Sequence, residues 1–194
     1  MSTVKTQRTQ YGISTNPSNN FVVDASQADG TLKISRGSTG SVLEDVVTVS
    51  TTSVFSTPHN PILIARRSGY YQTSANTLVV LPYDAVEVDN TNAYNTTTGR
   101  FKPTTPGFYA LTYGVVVTGG ALSTRIFLSV FKNATEYARS SDAETPGAGA
   151  NACAGSTVVY LDGVNDYVDI RVWGNNNTAV NSLGSRFTAH FIQG

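Results

Sequence analysis

Apolar and polar residues alternate along much of this chain, most clearly in the run that begins at Tyr109. The bulky positions of this run are Tyr109, Leu111, Tyr113, Val115 and Val117, and the small ones are Ala110, Thr112, Gly114 and Val116. Because side chains alternate across a strand, the bulky set is predicted to face a core. The small set is predicted to pack closely against another copy of the chain.

The same alternation recurs in shorter runs that turn residues separate, such as Pro106-Gly107. We predict one sandwich core built by Tyr109, Leu111, Leu128, Val130, Val168, Ile170, Val172, Phe187 and Phe191. His190 falls on the other side of its strand and is predicted to lie at the surface or at an interface. No stretch has a dependable helical period, so the pattern predicts an all-β sandwich or barrel.

Composition supports this interpretation. The 194 residues include ten Tyr, eight Phe and 17 Gly, which suit half-buried strands joined by turns. Charged residues make up only 13%, against about 25% in ordinary soluble domains. Low charge with abundant Ser, Thr, Asn and Gly is common where surface is buried between subunits or stays ordered without many ion pairs.

One motif adds a family resemblance. Residues 99–109 read G-R-F-x-P-x-x-P-G-x-Y. Four further segments have counterparts in the same family and occur in the same order along the chain, at residues 61–69, 131–133, 161–168 and 187–192. Together they resemble the jelly-roll heads of complement component 1q and its tumour-necrosis-factor relatives. The resemblance implies a homotrimeric β-sandwich that recognises other molecules and catalyses nothing. Ala134 stands where the family usually has Gly.

Residues 1–57 are predicted to form a separate β arm, and residues 58–194 a jelly-roll knob. The arm has short apolar runs at residues 21–23, 31–34 and 46–49. A small isolated sheet is marginal in water, so the arm is predicted to pack on its trimer mates, on the jelly roll or on a larger assembly. The predicted docking residues are Tyr11, Phe21, Leu32, Ile34, Val47 and Val49.

A second, looser resemblance concerns the arm. Residues 9–21 and 24–33 are similar to N-terminal segments of tailed-phage fibre and appendage proteins. The first residues lack the apolar region of a signal peptide, whereas complement heads are secreted proteins. Cys153 is the sole cysteine, which rules out an intrachain disulfide framework. We therefore expect synthesis in a host cytoplasm and a location on the surface of a virion.

Net charge and hydropathy restrict the classes of partner that the chain is expected to bind. Thirteen basic and 13 acidic residues give zero net charge, so nothing steers the chain to nucleic acid or to an anionic membrane. No apolar run has the length needed to insert into a bilayer. The expected partners are the chain itself, other virion proteins of the capsid or tail, and a glycan or protein on the host surface.

Catalytic residues are not apparent in the sequence. His59 and His190 are the only histidines, and no G-x-S-x-G motif accompanies them. Cys153 lies in a Gly- and Ala-rich stretch, where a small apolar residue at the start of a strand is favoured over a reactive thiol. We expect no enzyme activity.

Three acids raise the question of calcium, because some complement-type heads bind it. Asp162 and Asp166 are the candidates, with Asp169 nearby in a strand. Their spacing is not that of a calcium loop, and Asp162-Gly163 is an ordinary hairpin pair. The sequence predicts no metal and no cofactor.

A possible ligand-facing loop contains Trp173, Asn175 and Asn176. Aromatic and amide side chains suit contacts with sugars or proteins. The alternative is a strand-end aromatic residue that packs at a subunit edge.

Three functions remain compatible with the sequence. The first is a trimeric knob or fibre of a tailed-phage virion, docked by its arm and contacting the host. The second is a capsid decoration protein that stabilises the shell, and the third is a soluble, non-viral module that recognises a carbohydrate or a protein. Tail or capsid attachment, the receptor and the host are left open by the sequence.

Overall fold

The computed structural model describes residues 8–25, 30–38, 41–52, 54–57, 59–118, 124–140, 142–145, 150–182 and 184–194. These residues form strands and turns, and their helical content is one 3-10 turn at Pro17–Asn19. In the same residues no helix has the length and apolar character needed to cross a membrane. The all-β prediction is confirmed.

Two compact units make up the chain, one ending at Asn60 and the other starting at Pro61. The first unit is an antiparallel meander whose strands pair in chain order. Its strands are β1 (Arg8–Tyr11), β2 (Phe21–Asp24), β3 (Leu32–Ser38), β4 (Ser41–Val49) and β5 (Phe55–Ser56).

The second unit is a sandwich of two sheets. Its strands are β6 (Ile62–Arg66), β7 (Tyr71–Thr73), β8 (Val79–Val80), β9 (Ala85–Asp89), β10 (Tyr94–Asn95), β11 (Arg100–Phe101), β12 (Gly107–Thr118), β13 (Thr124–Lys132), β14 (Thr135–Arg139), β15 (Ala143–Thr145), β16 (Asn151–Leu161), β17 (Val168–Gly174), β18 (Thr178–Val180) and β19 (Arg186–Gln193). We call the sheet built around β12 the front sheet and the one built around β17 the back sheet.

The front sheet has the order β7-β18-β12-β19-β6-β9, with β16 also paired to β12. The back sheet has the order β10-β11-β17-β13-β14, with β15 on β13 and β8 on β17. The pairings are antiparallel, and strands distant in sequence become neighbours, as β12 does with β19. This arrangement is a jelly-roll sandwich, as predicted.

The core lies between the two sheets and draws on both. Eight of the nine predicted core residues are buried: Tyr109, Leu111, Leu128, Val130, Val168, Ile170, Val172 and Phe187. The ninth, Phe191, is half-buried and packs at the margin of the core, with its ring 5.6 Å from that of Tyr109. The Tyr109 hydroxyl donates to the carbonyl of Thr105 at 2.7 Å, which satisfies a polar atom beside the core.

The predicted turn at Pro106-Gly107 leads directly into β12. Gly107 has φ +151°, and a Cβ on it would lie 2.4 Å from the carbonyl oxygen of Gln193. Glycine is therefore required where the start of β12 passes close to the end of β19.

Candidate functional site

The predicted trimer-packing residues lie on the outer face of the front sheet. Ala110, Thr112, Gly114 and Val116 alternate with the buried side chains of β12, and Thr112 is exposed. Since β16 and β19 flank β12 along most of its length, these residues occupy the middle of a broad sheet surface. Their role in a trimer stays a prediction.

One end of this outer face is apolar, which the sequence analysis did not identify. Phe108, Val158, Tyr160 and Ile192 are 42%, 48%, 45% and 51% exposed. The rings of Phe108 and Tyr160 pack edge to face with centroids 5.3 Å apart. Alternation within residues 152–160 and 186–192 was the signal that could have revealed this patch.

The N-terminal sheet brings the six predicted docking residues to one face. Tyr11 lies opposite Phe21 in the pairing of β1 with β2, and Val23 of the same β2 face lies opposite Ile34. Across β3 and β4, residue 32 lies opposite 49 and residue 34 opposite 47. Tyr11, Phe21 and Leu32 are 60%, 45% and 37% exposed. We call this surface the arm face, and docking through it stays a prediction.

The opposite face of the N-terminal sheet is polar. Arg8 pairs with the buried Asp24 at 2.7 Å, and Lys33 with Asp45 at 2.7 Å. Hydrogen bonds from the Lys33 ammonium and from the Ser35 hydroxyl lower the pKa of Asp45. These two ion pairs lie on the side away from the arm face, whereas the pair of Arg36 with Glu44 lies on the arm face itself, opposite Phe21.

A cavity of about 300 Å³ opens in the N-terminal unit. Its lining consists of Phe21, Arg36, Glu44, Val46, Thr57, His59 and Asn60. Glu44 pairs with Arg36 and lies 3.7 Å from the imidazole of His59. His190, the other histidine, is exposed on β19 opposite Ala110, as the alternation predicted.

The two calcium candidates close a hairpin loop. Asp162 Oδ1 accepts three backbone N–H groups, from Val164 at 2.9 Å and from Asn165 and Asp166 at 2.8 Å. These bonds, that from Asp166 foremost, lower the pKa of Asp162 to about 2.

Asp166 is held from two sides. Its carboxylate pairs with Lys132 at 2.8 Å and accepts from the amide of Asn133 at 2.6 Å. Both contacts lower its pKa. Among the residues that the structure describes, no group of three His, Cys, Asp or Glu side chains is placed to hold a metal. The two carboxylates organise the loop.

Asp169 behaves differently from both. It is fully buried, and its carboxylate is held by Arg171 with Nε at 2.7 Å. The guanidinium of Arg171 lies over the ring of Phe131, 3.8 Å from its centroid. The sequence placed Asp169 away from the core but did not reveal its burial within this ion pair.

The predicted ligand loop is attached to β13. Trp173 is half-buried and stacks on Phe127, with centroids 5.1 Å apart and planes 15° apart. The Asn175 amide oxygen accepts the backbone N–H of Arg125 at 2.8 Å, and Asn176 is half-buried. This packing describes how the loop is held, and ligand contact by it stays a prediction. Cys153 lies near the start of β16, as predicted, and is buried with Sγ 2.9 Å from the Ser140 hydroxyl.

Comparison with known proteins shows which family this sandwich unit belongs to. The family model for the C1q domain matches residues 64–192, which is most of the sandwich unit. The chain belongs to the C1q domain family. No curated protein sequence matches it.

Two solved structures are similar to this chain. Murine APRIL at pH 5.0 is 12% identical, with a TM-score of 0.51 over 69% of this chain and 99% of that one. The globular domain of zebrafish complement 1qA is 16% identical, with a TM-score of 0.49 over 68% of this chain and 97% of that one. At such identities the APRIL likeness shows the jelly-roll fold alone.

Proposed function

We propose that this protein is a homotrimeric recognition protein that catalyses nothing. The observation that carries the proposal is the C1q domain match over residues 64–192, because domains of this family act as trimeric recognition modules. Residues 58–194 are the recognition head. Residues 1–57 dock it on the surface of a tailed-phage virion, at the tail or the capsid, where the head contacts the host.

Trimer formation is supported by the outer face of the front sheet. Its apolar end exposes two aromatic and two aliphatic side chains together, and such contiguous patches mark interaction surfaces. The small side chains along β12 let another subunit approach the sheet closely. Three copies around one axis bury this face with closed symmetry.

Light scattering of the purified chain tests the trimer. The expected mass is three times 20.6 kDa. Val158→Glu places a charge in the apolar patch and is expected to give monomers. The matched control is Val164→Glu, because Val164 is 68% exposed on a hairpin loop away from this sheet face. A monomeric wild type, or an unchanged trimer in Val158→Glu, contradicts the proposal.

Docking by residues 1–57 is supported by the arm face, whose apolar side chains stay partly exposed. A partner surface of the virion is the natural cover for it, since an apolar sheet face gains stability when another layer removes it from water. The similarity of residues 9–21 and 24–33 to tailed-phage fibre and appendage proteins favours a phage particle as that partner.

Particles that lack the native protein test this assignment. A chain starting at Pro58 is expected to fold and trimerise but not to join them. Residues 1–55 fused to an unrelated trimer are expected to restore incorporation. Full binding by the truncated head moves the docking site to the jelly roll. Labels on intact particles distinguish the tail from the capsid, and failure of every form to bind particles favours a soluble recognition module.

A further inference from the structure

A polar groove lies on the back sheet, on the other sheet of the sandwich from the proposed trimer face. Its volume is about 390 Å³, within the range of small-molecule sites. The residues that line it are Ala93, Asn95, Thr98, Arg100, Lys102, Asn165 and Tyr167. We call it the β11 groove, because Arg100 begins β11 and Lys102 follows it.

Two cations of this groove project from the same side of the chain. Phe101 lies between them and is fully buried in the core, so Arg100 and Lys102 point away from it. Both are exposed. The backbone N–H of Lys102 donates to the carbonyl of Ala93 at 2.7 Å, which continues the pairing of β10 with β11 past the end of the strand. Their orientation therefore follows from the strand.

These two cations differ from the others of the sandwich unit in having no acidic partner. Every other Lys and Arg in the described part of residues 61–194 lies within 4 Å of a carboxylate. These are Arg66, Arg67, Arg125, Lys132, Arg139, Arg171 and Arg186. Arg100 instead lies over the ring of Tyr167, 4.2 Å from its centroid. Asp169 lies opposite Arg100 in the pairing of β11 with β17, but its carboxylate is held by Arg171 at 2.7 Å. The β11 groove thus gathers two cations that form no ion pair of their own.

The remaining lining is rich in neutral hydrogen-bonding groups. The Asn95 amide oxygen accepts the backbone N–H groups of Thr97 and Thr98, both at 2.9 Å, so its amide nitrogen is the group left to donate. Asn165 belongs to the loop that Asp162 closes. No carboxylate lines the groove. Because both margins are held by hydrogen bonds, little ordering is needed on binding.

We propose that the β11 groove binds an anionic saccharide. Arg100 and Lys102 hold its carboxylate or phosphate, and Asn95, Thr98 and Asn165 bind its ring hydroxyls. An acidic peptide is served less well, since its backbone N–H groups need acceptors and the groove mainly supplies donors. The inference rests on the proposed role in recognition and names a ligand class for it, but it requires neither the trimer nor the virion.

Calorimetric titration of the full chain at low salt tests the ligand class. The probes are trigalacturonate, which carries carboxylates, and mannose 6-phosphate, which carries a phosphate. Methyl-esterified trigalacturonate and mannose are their uncharged controls. Binding of a charged probe without its uncharged control supports the proposal, and the probe that binds identifies the anionic group. Binding of neither charged probe, or equal binding of an uncharged control, overturns it.

Substitutions locate the site. Arg100→Gln and Lys102→Gln are each expected to weaken binding about tenfold or more, the usual loss for a charged hydrogen bond. Arg125→Gln is the matched control, because Arg125 is an exposed arginine outside the groove, and it is expected to bind as wild type. Unfolding temperatures of all three are compared to show that the fold is kept.

Three outcomes refute the assignment at this stage: binding unchanged in both groove variants, equal loss in the control, or hexa-aspartate bound as tightly as the saccharide. Failure here is separate from failure of the proposed function, since light scattering and particle binding report on the latter without any saccharide.

Discussion

The two units of this chain differ in how far they bury their apolar side chains. The sandwich unit buries a cluster that both sheets share, from Leu63 to Ala189. In the described part of residues 8–57, Val22 is the one fully buried apolar side chain, and the others buried with it are polar: Asn20, Asp24 and Ser35. Apolar residues of the arm face remain half-buried or exposed.

The difference follows from layer count. A sheet has two faces, and a stable fold needs a second layer to cover the apolar one. The sandwich unit supplies that layer from its own back sheet. The N-terminal unit forms one meander of five strands. The comparison teaches that residues 61–194 cover their own core, whereas the apolar side chains of the arm face stay partly exposed.

The largest expected effect comes from replacing one leucine in each unit and comparing the two losses of stability. Leu111→Ala empties a site in the sandwich core and is expected to cost about 2–5 kcal/mol of unfolding free energy. Leu32→Ala, on the arm face, is expected to cost less than about 1 kcal/mol, because Leu32 is already 37% exposed. Urea denaturation measures both. Equal costs would break the comparison.

A second pair of variants compares the ion pairs of the two units. Arg171→Met leaves the buried carboxylate of Asp169 without its ion-pair partner and is expected to cost about 1–3 kcal/mol of unfolding free energy. Lys33→Met removes the partner of Asp45, whose side chain is 29% exposed, and is expected to cost at most about 1 kcal/mol. Adding Asp169→Asn to Arg171→Met is expected to recover part of the lost unfolding free energy. If nothing is recovered, an unpaired buried carboxylate is not the cause of the loss.

Acid titration sharpens the comparison at the hairpin loop of the head. The pKa of Asp162 is lowered from 3.8 to about 2 in the folded protein. Its ionised form therefore stabilises the head above about pH 3.8, and this contribution is lost as the pH falls through about 2. The gap in unfolding temperature between wild type and Asp162→Asn is expected to be present at pH 6 and to close towards pH 2. A gap that does not change with pH would contradict this.

The smallest expected effect is that of removing the arm. A chain starting at Pro58 keeps every residue of the sandwich core, so its thermal transition is expected to match that of the head in the full-length protein. Differential scanning calorimetry measures it, with the full chain as reference. A clear loss of unfolding temperature would mean that residues 1–57 belong to the stability of the head.

Local pattern was enough to predict much of the fold. The alternation from Tyr109 to Val117 identified the buried side of β12, and Pro106-Gly107 identified the turn before it. The order of short motifs indicated the jelly roll, which the C1q domain match confirms. These features could be read from the sequence because strand alternation and turn geometry depend on neighbouring residues.

Other features were decided only by the tertiary structure. The apolar patch joins Phe108 to Tyr160, and the β11 groove joins Arg100 to Asn165, residues that are far apart in sequence. Strand register creates such neighbours, and a slip of one residue would turn every side chain of a strand to the other face. Asp169 likewise meets its neighbours through strand pairing, since Phe131 lies opposite it on β13 and Arg171 pairs with its carboxylate. Sequence thus determined which residues alternate and where the chain turns, while long-range pairing determined which side chains meet.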